Sequence, residues 1–97
     1  MKIELHSRSG CPYCTKAKQW FEANGIPVTY VVHEDWTERN RFYDTLGLRD
    51  PNRTVPQIIV ETADGKRKRI GGYTDLIRSD LREQWEAHKN VSFGEEF

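Results

Sequence analysis

The spacing of apolar positions changes several times along the chain, and each change marks a new predicted element. Apolar residues that alternate with polar ones predict strands, and apolar residues three or four positions apart predict helices. The predicted elements are, in order, a strand at 2–6, a helix at 12–23, a strand at 28–32, a helix at 36–46, strands at 57–62 and 66–70, and a helix at 74–87. This order, β-α-β-α-β-β-α, predicts an α/β fold with a four-stranded mixed sheet flanked by helices.

Short polar motifs support the ends of these elements. Asn24-Gly25 is a strong stop for the first helix, and Asp35 with Glu38 resembles a capping box at the start of the second. Ala63-Asp64-Gly65 predicts a hairpin turn. The mostly apolar run 28–32 predicts a strand buried on both faces, as in a parallel pair. The side chains predicted to share a face on the three helices are Ala17, Trp20, Phe21 and Ala23, then Trp36, Arg39, Phe42, Tyr43 and Leu46, and then Leu76, Ile77, Leu81 and Trp85.

Length and charge limit the class of protein. Ninety-seven residues predict a single domain, residues 1–87, followed by a polar tail, 88–97, that we expect to be partly disordered. The formal net charge is zero, which favours neither nucleic acid nor an anionic membrane as a partner. No apolar run approaches the roughly 20 residues of a membrane span. Met1-Lys2 leads directly into a strand, so we expect no signal peptide and a cytoplasmic location.

The two cysteines of the chain carry its most informative chemistry. They lie in Cys11-Pro12-Tyr13-Cys14, at the predicted start of the first helix. Pro12 suits the first helical position, so Cys11 is expected at the N-cap, where backbone N–H groups lower the pKa of a thiol. Residues three apart share a helix face, so Cys14 can close a disulfide with Cys11. We expect Cys11 to be the more exposed, attacking thiol and Cys14 the less accessible, resolving thiol, with Arg8 and Lys16 adding positive charge nearby.

Other roles for the pair fit the sequence less well. A structural zinc site usually has four ligands, and the chain has no second cysteine pair and only scattered histidines, His6, His33 and His88. A structural disulfide is uncommon across so short a loop, and the chain does not resemble a secreted disulfide scaffold. Two inert buried thiols would also be possible, but Gly-Cys-Pro-x-Cys at a strand-to-helix junction is poor composition for a core. A Cys-x-x-Cys near a βαβ unit is typical of a thioredoxin-like redox fold.

Three segments together resemble the dithiol glutaredoxins. They are Arg8–Cys14, Thr54–Ile58 and Gly71–Leu76, in the order and separation of that family. The chain does not resemble thioredoxin itself, which has Trp-Cys-Gly-Pro-Cys and an additional leading strand and helix. The resemblance covers nearly all of residues 1–87 and implies a thioredoxin-like fold.

The resemblance also implies a groove for glutathione as co-substrate, with no metal. Thr54 and Val55 would offer backbone groups to the cysteinyl part of glutathione, beside a cis Val55–Pro56 bond. Thr74 and Asp75 would take the α-carboxylate and α-ammonium groups, and Arg8 the glycyl carboxylate. The residues assigned to this groove are Arg8, Tyr13, Thr54, Val55, Pro56, Gly72, Tyr73, Thr74 and Asp75. From the residues alone, Thr74 and Asp75 could be helix-capping residues, Tyr73 a packing residue, Arg8 a solvated charge and Pro56 an ordinary strand-entry proline.

The function that the resemblance implies is glutathione-dependent thiol–disulfide exchange. Its implied substrates are glutathionylated proteins and the disulfide of ribonucleotide reductase, and the expected state is a monomer. Two alternatives stay open. Recycling by thioredoxin reductase is disfavoured by Thr74-Asp75, which serves a glutathione ligand. An iron–sulfur cluster carrier, with Cys11 and glutathione as ligands, is disfavoured by Pro12.

The basic run Lys66–Arg69 departs from the pattern expected of short bacterial glutaredoxins. Charge on an edge strand commonly prevents unwanted strand pairing, which is the simpler interpretation. The alternative is a docking patch for an acidic protein partner.

Overall fold

A computed structural model of the chain describes the backbone of residues 1–94 and the side chains of residues 1–88. Its elements are β1 (Lys2–Ser7), α1 (Pro12–Ala23), β2 (Thr29–Val32), α2 (Trp36–Thr45), β3 (Gln57–Glu61), β4 (Arg67–Gly71), α3 (Tyr73–Arg78) and α4 (Leu81–Gly94). The strands form one sheet in the order β2-β1-β3-β4. β1 is parallel to β2 and antiparallel to β3, and β3 is antiparallel to β4. The predicted four-stranded mixed sheet flanked by helices is confirmed.

The last predicted helix is two helices, and the prediction of one continuous helix at 74–87 was wrong. The chain is extended at Ser79, between α3 and α4. The Ser79 hydroxyl donates to the carbonyl of Leu76 at 2.6 Å and accepts from the N–H of Leu81 at 3.3 Å. Such side-chain bonds to the backbone compete with the helical ladder. The break changes the helical phase, so Leu76 and Leu81 are buried while Ile77 is 48% exposed.

The C-terminal end of α4 lies beyond the predicted helix end. The helical backbone continues to Gly94, and residues 95–97 of the predicted tail lie outside the described residues. The division of the chain into a domain at 1–87 and a tail at 88–97 stays a prediction.

Strand β2 pairs in parallel as predicted, but the predicted burial on both of its faces was wrong. Thr29, Tyr30 and Val32 are exposed, and Val31 is half-buried. The reason is topological, because β2 is an edge strand of the sheet. An apolar run reports hydrophobicity and β propensity but not the position of the strand in the sheet.

The main core lies between one face of the sheet and α1, α3 and α4. Alternate residues of β1 and β3 point into it, and α1 contributes Cys14, Ala17 and Phe21 at helical spacing. Ala23, predicted for the same face, is exposed. The buried cluster consists of Ile3, Leu5, Ala17, Phe21, Ile26, Ile58, Val60, Leu76 and Leu81. This core fixes the start of α1, and with it the two cysteines, against the sheet.

Helix α2 starts as the sequence predicts. The Asp35 carboxylate accepts from the N–H of Thr37 at 2.9 Å, which caps the helix. The helix packs on the opposite side of the sheet, where the ring of Phe42 stacks on His6 with 4.0 Å between centroids.

Two histidines that looked scattered in the sequence form a hydrogen-bonded chain. His6 Nδ1 lies 2.8 Å from His33 Nε2, and His6 Nε2 lies 3.0 Å from Glu4 Oε1. Burial, together with the neighbouring His6, lowers the pKa of His33. Burial raises the pKa of Glu4, but hydrogen bonds from His6 and Arg67 outweigh it and hold that pKa below its ordinary value. Both shifts disfavour the protonated forms in the folded protein.

The free energy of unfolding should therefore fall on mild acidification. The pKa of His33 is lower in the folded than in the unfolded chain, so its contribution is complete above about pH 6.5 and is lost as the pH falls through the folded value. Urea denaturation between about pH 7.5 and pH 5.5 should show this loss in the wild type. His33→Gln should flatten the profile. Equal slopes for the wild type and His33→Gln would contradict the assignment to His33.

Candidate functional site

The cysteine pair lies at the N-terminal end of α1, as predicted. Cys11 is the N-cap residue with an extended backbone, and Pro12 is the first helical residue. The N–H of Cys14 donates to Cys11 Sγ at 3.2 Å. The two cysteines form a disulfide with 5.2 Å between their Cα atoms. The structure therefore contains the oxidised pair, and the same N–H that contacts Cys11 Sγ here could stabilise a thiolate after reduction.

We expected Cys11 to be more exposed than Cys14, and this expectation was wrong. Each is only 6% exposed. The disulfide holds Cys11 against Cys14, and Cys11 Sγ also lies 3.7 Å from the carbonyl oxygen of Val55. The position of Cys11 along the helix could not show that its sulfur contacts Val55, which is 44 positions away in the sequence. What distinguishes the cysteines is this contact and the N-cap position of Cys11, rather than solvent exposure.

The loop before Cys11 is held by a residue that the sequence analysis missed. The Glu34 carboxylate accepts from the N–H of Ser9 at 2.7 Å, and hydrogen bonding to Ser9 lowers the pKa of Glu34. The N–H of His33 donates to the carbonyl of Ser7 at 2.8 Å, which ties the same two loops together. Gly10 has a φ of 74°, so the loop turns into the helix through a conformation that favours glycine. No sequence motif marks Glu34, because its partner is a backbone group of a distant loop.

A groove of about 590 Å³ opens beside the cysteine pair. Eight of the nine residues that the resemblance assigns to glutathione line it, all except Arg8. They are Tyr13, Thr54, Val55, Pro56, Gly72, Tyr73, Thr74 and Asp75. The additional lining residues are Pro51, Asn52, Gln57 and Arg69, which the sequence analysis did not assign. Three separate segments of the chain therefore come together as one concave surface.

The walls of the groove differ in chemistry. The rings of Tyr13 and Tyr73 lie 6.2 Å apart between centroids, and Tyr13 is 56% exposed. Lys16 lies over the Tyr13 ring, with Nζ 5.2 Å from the ring centre. The Val55–Pro56 bond is cis, as the resemblance implies, and the Asp50–Pro51 bond is also cis, which was not foreseen.

Gln57 connects two lining segments of the groove. Its side chain is 2% exposed, and its Nε2 donates to the carbonyl of Thr54 at 3.0 Å. Its Oε1 accepts from Arg69 Nη1 at 3.2 Å. Arg69 is brought to the groove by the β3–β4 pairing, which contains an irregularity between Ile58 and Ile59. Arg69 pairs with Ile59 on the turn side of that irregularity, and what the sequence could not show is its side-chain contact with Gln57, 12 positions away.

The acidic end of the groove is built on a glycine pair. Gly71 has a φ of 117°, and a Cβ at this position would collide with the carboxylate of Asp75. Gly72 is the N-cap of α3, so the helix begins one residue before the predicted start at Thr74, and the Gly72 N–H donates to Asp75 Oδ2 at 2.9 Å. Asp75 therefore does cap its helix, while its exposed carboxylate also lines the groove.

Arg8 lies on the other side of the Thr54–Val55 segment. It lines a separate cavity of about 360 Å³, and Thr54 and Val55 line both this cavity and the groove. Two further arginines, Arg39 and Arg53, line the cavity with Arg8. Thr54 and Val55 thus have Asp75 on one side and, on the other, three arginines and Asp50, with Arg53 ion-paired to Asp44.

Two other features of the described residues bear on the kind of site. No three His, Cys, Asp or Glu side chains within residues 1–88 are grouped to hold a metal ion. No helix in the described part of the chain has the length and apolar character needed to span a membrane.

Comparison with known proteins identifies this arrangement. The family model for glutaredoxin matches residues 3–64, which include the cysteine pair and the Thr54–Pro56 segment. The chain belongs to the glutaredoxin family. Like other glutaredoxins it is a thiol–disulfide oxidoreductase, and it has the dithiol Cys11-Pro12-Tyr13-Cys14 motif.

Individual relatives agree with this family assignment. Glutaredoxin-C4 of Arabidopsis thaliana is 40% identical over 78 residues, which are 78% of this chain and 53% of the plant protein, so this glutaredoxin spans about half of that relative. The crystal structure of glutaredoxin 1 from Francisella tularensis, complexed with cacodylate, is 34% identical with a TM-score of 0.66, and the match covers 88% of this chain and 96% of that one. A buckwheat glutaredoxin–glutathione complex has the same fold, at 22% identity and a TM-score of 0.60, over 84% of this chain and 69% of that one.

Proposed function

We propose that this glutaredoxin uses glutathione to reduce protein disulfides and glutathione mixed disulfides. The observation that carries the proposal is the groove beside Cys11, in which an exposed peptide segment, an aromatic wall and a carboxylate are combined. Glutathione is a short peptide with an α-ammonium group at one end and a carboxylate at each end, so it is complementary to these groups. The buckwheat complex is a protein of this fold with glutathione bound.

The geometry favours one placement of glutathione. Its cysteinyl part pairs with the backbone of Thr54 and Val55, which brings its sulfur to Cys11, since Cys11 Sγ contacts the Val55 carbonyl. Its ammonium group binds the Asp75 carboxylate and its α-carboxylate accepts from Thr74, at the far end of the groove. The glycyl carboxylate turns toward Arg8 on the other side of Thr54 and Val55. Tyr13, Tyr73, Pro56 and Gly72 line the sides of the bound peptide.

The proposed reaction proceeds through a mixed disulfide. The Cys11 thiolate attacks the glutathione sulfur of a glutathionylated protein, the old S–S bond breaks, and the protein leaves as a thiolate. A second glutathione thiolate then attacks the Cys11–glutathione disulfide, which releases oxidised glutathione and the Cys11 thiolate. With a protein disulfide, Cys14 attacks the mixed disulfide instead, and the protein leaves fully reduced. That route gives the Cys11–Cys14 disulfide, the state in the structure, which two glutathione molecules reduce.

We further propose a cytoplasmic monomer whose redox domain comprises residues 1–87, with residues 88–97 as a C-terminal extension. A dithiol that is recycled by glutathione requires a reducing compartment, which supports the location. The proposed protein substrates are glutathionylated proteins and the disulfide of ribonucleotide reductase.

Coupled turnover tests the proposal directly. A small glutathione mixed disulfide should be reduced with glutathione, glutathione reductase and NADPH, and not when thioredoxin reductase replaces glutathione and its reductase. Asp75→Asn keeps an oxygen for the helix cap but removes the charge, so it should raise the KM for glutathione about tenfold through loss of a charge-assisted hydrogen bond. Asp80→Asn, which removes a carboxylate outside the groove, is the matched control.

The possible results separate the proposal from its alternatives. Turnover only with thioredoxin reductase would agree with the fold but would contradict the assignment of the groove to glutathione. No turnover in either mixture, with visible absorbance after anaerobic reconstitution with iron and sulfide, would favour an iron–sulfur carrier. An equal KM for glutathione in Asp75→Asn and Asp80→Asn would show that the Asp75 carboxylate does not bind glutathione.

A further inference from the structure

A second cavity adjoins the groove on the side away from the cysteines. It has a volume of about 490 Å³ and lies between β4 and the junction of α3 with α4. Arg69 and Asp75 line both this cavity and the groove, so the two spaces meet at these residues. A segment bound in the groove would therefore end next to the second cavity.

The rim of this cavity carries three cations, Lys68, Arg69 and Arg78, and we call the cavity the basic cleft. None of the three forms an ion pair with any residue of the described part of the chain. The two carboxylates of the cleft are Asp75 and Asp80, and each already accepts a hydrogen bond from its own helix. Asp75 accepts from the Gly72 N–H, and Asp80 accepts from Gln84 Nε2 at 2.6 Å.

The basic run Lys66–Arg69 therefore has two parts with different surroundings. Lys66 lies 3.9 Å from a carboxylate oxygen of Asp64, and Arg67 lies 3.1 Å from Glu4 and 3.8 Å from Glu61. The charge of this half is balanced within the chain, which fits the protection of an edge strand. Lys68 and Arg69 form no ion pair with a described residue. Neighbouring strand residues point to opposite faces, so Lys68 directs its side chain to the cleft, while Arg69 reaches Gln57 at the boundary with the groove.

The floor of the basic cleft is apolar. It is formed by Val60 and Leu81, which are 3% and 1% exposed, and by the half-buried Ile70. Val60 and Leu81 are already covered by the protein, so Ile70 is the apolar surface that a small inorganic anion on the rim would leave uncovered. A peptide with acidic side chains covers the floor with its backbone and apolar atoms while its carboxylates reach the rim.

We propose that the basic cleft binds an acidic segment next to the reacting cysteine of a disulfide-bonded protein substrate. This inference rests on the proposed function, and it names the class of protein disulfide that the groove accepts. In the reaction the Cys11 and Cys14 thiols are oxidised to their disulfide, and the substrate disulfide is reduced to two thiols. The cleft takes no part in the bond exchange, and its cations raise the rate at which acidic substrates are captured.

Two matched peptide disulfides provide the test. One has Asp and Glu beside its cysteine, and the other has Asn and Gln at the same positions. At low ionic strength the wild type should reduce the acidic peptide with a kcat/KM about fivefold higher, as expected for two exposed charge pairs, and high salt should remove the preference. Lys68→Gln combined with Arg78→Gln should reduce the preference to less than about twofold. Lys66→Gln combined with Arg41→Gln changes the net charge equally, away from the cleft, and should keep it.

A charge reversal makes the test independent of simple loss of function. Lys68→Glu combined with Arg78→Glu should prefer a peptide with Lys and Arg beside its cysteine. Two results would contradict the proposed role of the cleft. One is an equal rate with acidic and neutral peptides in the wild type, and the other is an equal loss of the preference for the acidic peptide in both double Gln variants. Turnover of the small glutathione mixed disulfide is measured in parallel and should be the same in every variant. Absence of that turnover in the wild type would overturn the proposed function, and the cleft with it.

Discussion

Cys11→Ser should abolish turnover of the small glutathione mixed disulfide, by at least about a thousandfold. A serine hydroxyl at the N-cap can still accept the Cys14 N–H, so the start of α1 should be preserved. What is lost is the thiolate, which alone attacks a disulfide sulfur. The coupled NADPH assay measures the loss, and circular dichroism confirms that the fold is intact.

Cys14→Ser is the matched variant and should separate the two reactions. Reduction of the mixed disulfide should continue, because a second glutathione can resolve the Cys11 intermediate. Reduction of a protein disulfide should fall by at least about tenfold, since that route depends on attack by Cys14. If Cys14→Ser lost both activities equally, or Cys11→Ser retained either one, the assignment of attacking and resolving thiols would be wrong.

Phe21→Ala should lower the free energy of unfolding by about 4 kcal/mol, as for large aromatic side chains in a closed core. Phe21 is fully buried, with 0% exposure, in the cluster that joins α1 to the sheet and to α3. Its removal leaves a cavity beneath the last turn of α1. In a domain of this size the melting temperature should fall by roughly 15 to 30 °C. Urea denaturation monitored by circular dichroism gives the free energy.

Phe21→Leu is the control for cavity size. It keeps most of the side-chain volume and should lower the free energy of unfolding by about 1 to 1.5 kcal/mol. A loss of less than about 1 kcal/mol in Phe21→Ala would show that the cluster relaxes around the cavity.

The predictable parts of this fold are those set by short-range chemistry. Pro12 and Asn24-Gly25 mark both ends of α1, and Asp35 caps α2, because capping depends on neighbouring backbone groups. The break at Ser79 was missed because a serine inside a helical pattern can either stay in the helix or bond its own backbone. The burial of β2 was mispredicted because edge position is decided by the order of strands in space.

The site was predictable to a similar extent. Resemblance identified the segments that line the groove, but it gave no information about residues that reach the site through register or loop contacts. Gln57, Arg69 and Glu34 belong to this second group. The pairing of His6 with His33 was missed for the same reason, since these residues lie 27 positions apart in the chain.

The buried amide of Gln57 has a consequence for the entropy of ligand binding. It holds the Thr54 backbone and the Arg69 side chain through two hydrogen bonds from a residue that is itself 2% exposed. A groove with these two groups already ordered loses little conformational freedom when a peptide enters, so more of the interaction energy is available as affinity. In the proposed reaction, the same rigidity would let this surface accept first a substrate and then glutathione without a conformational change between the two steps.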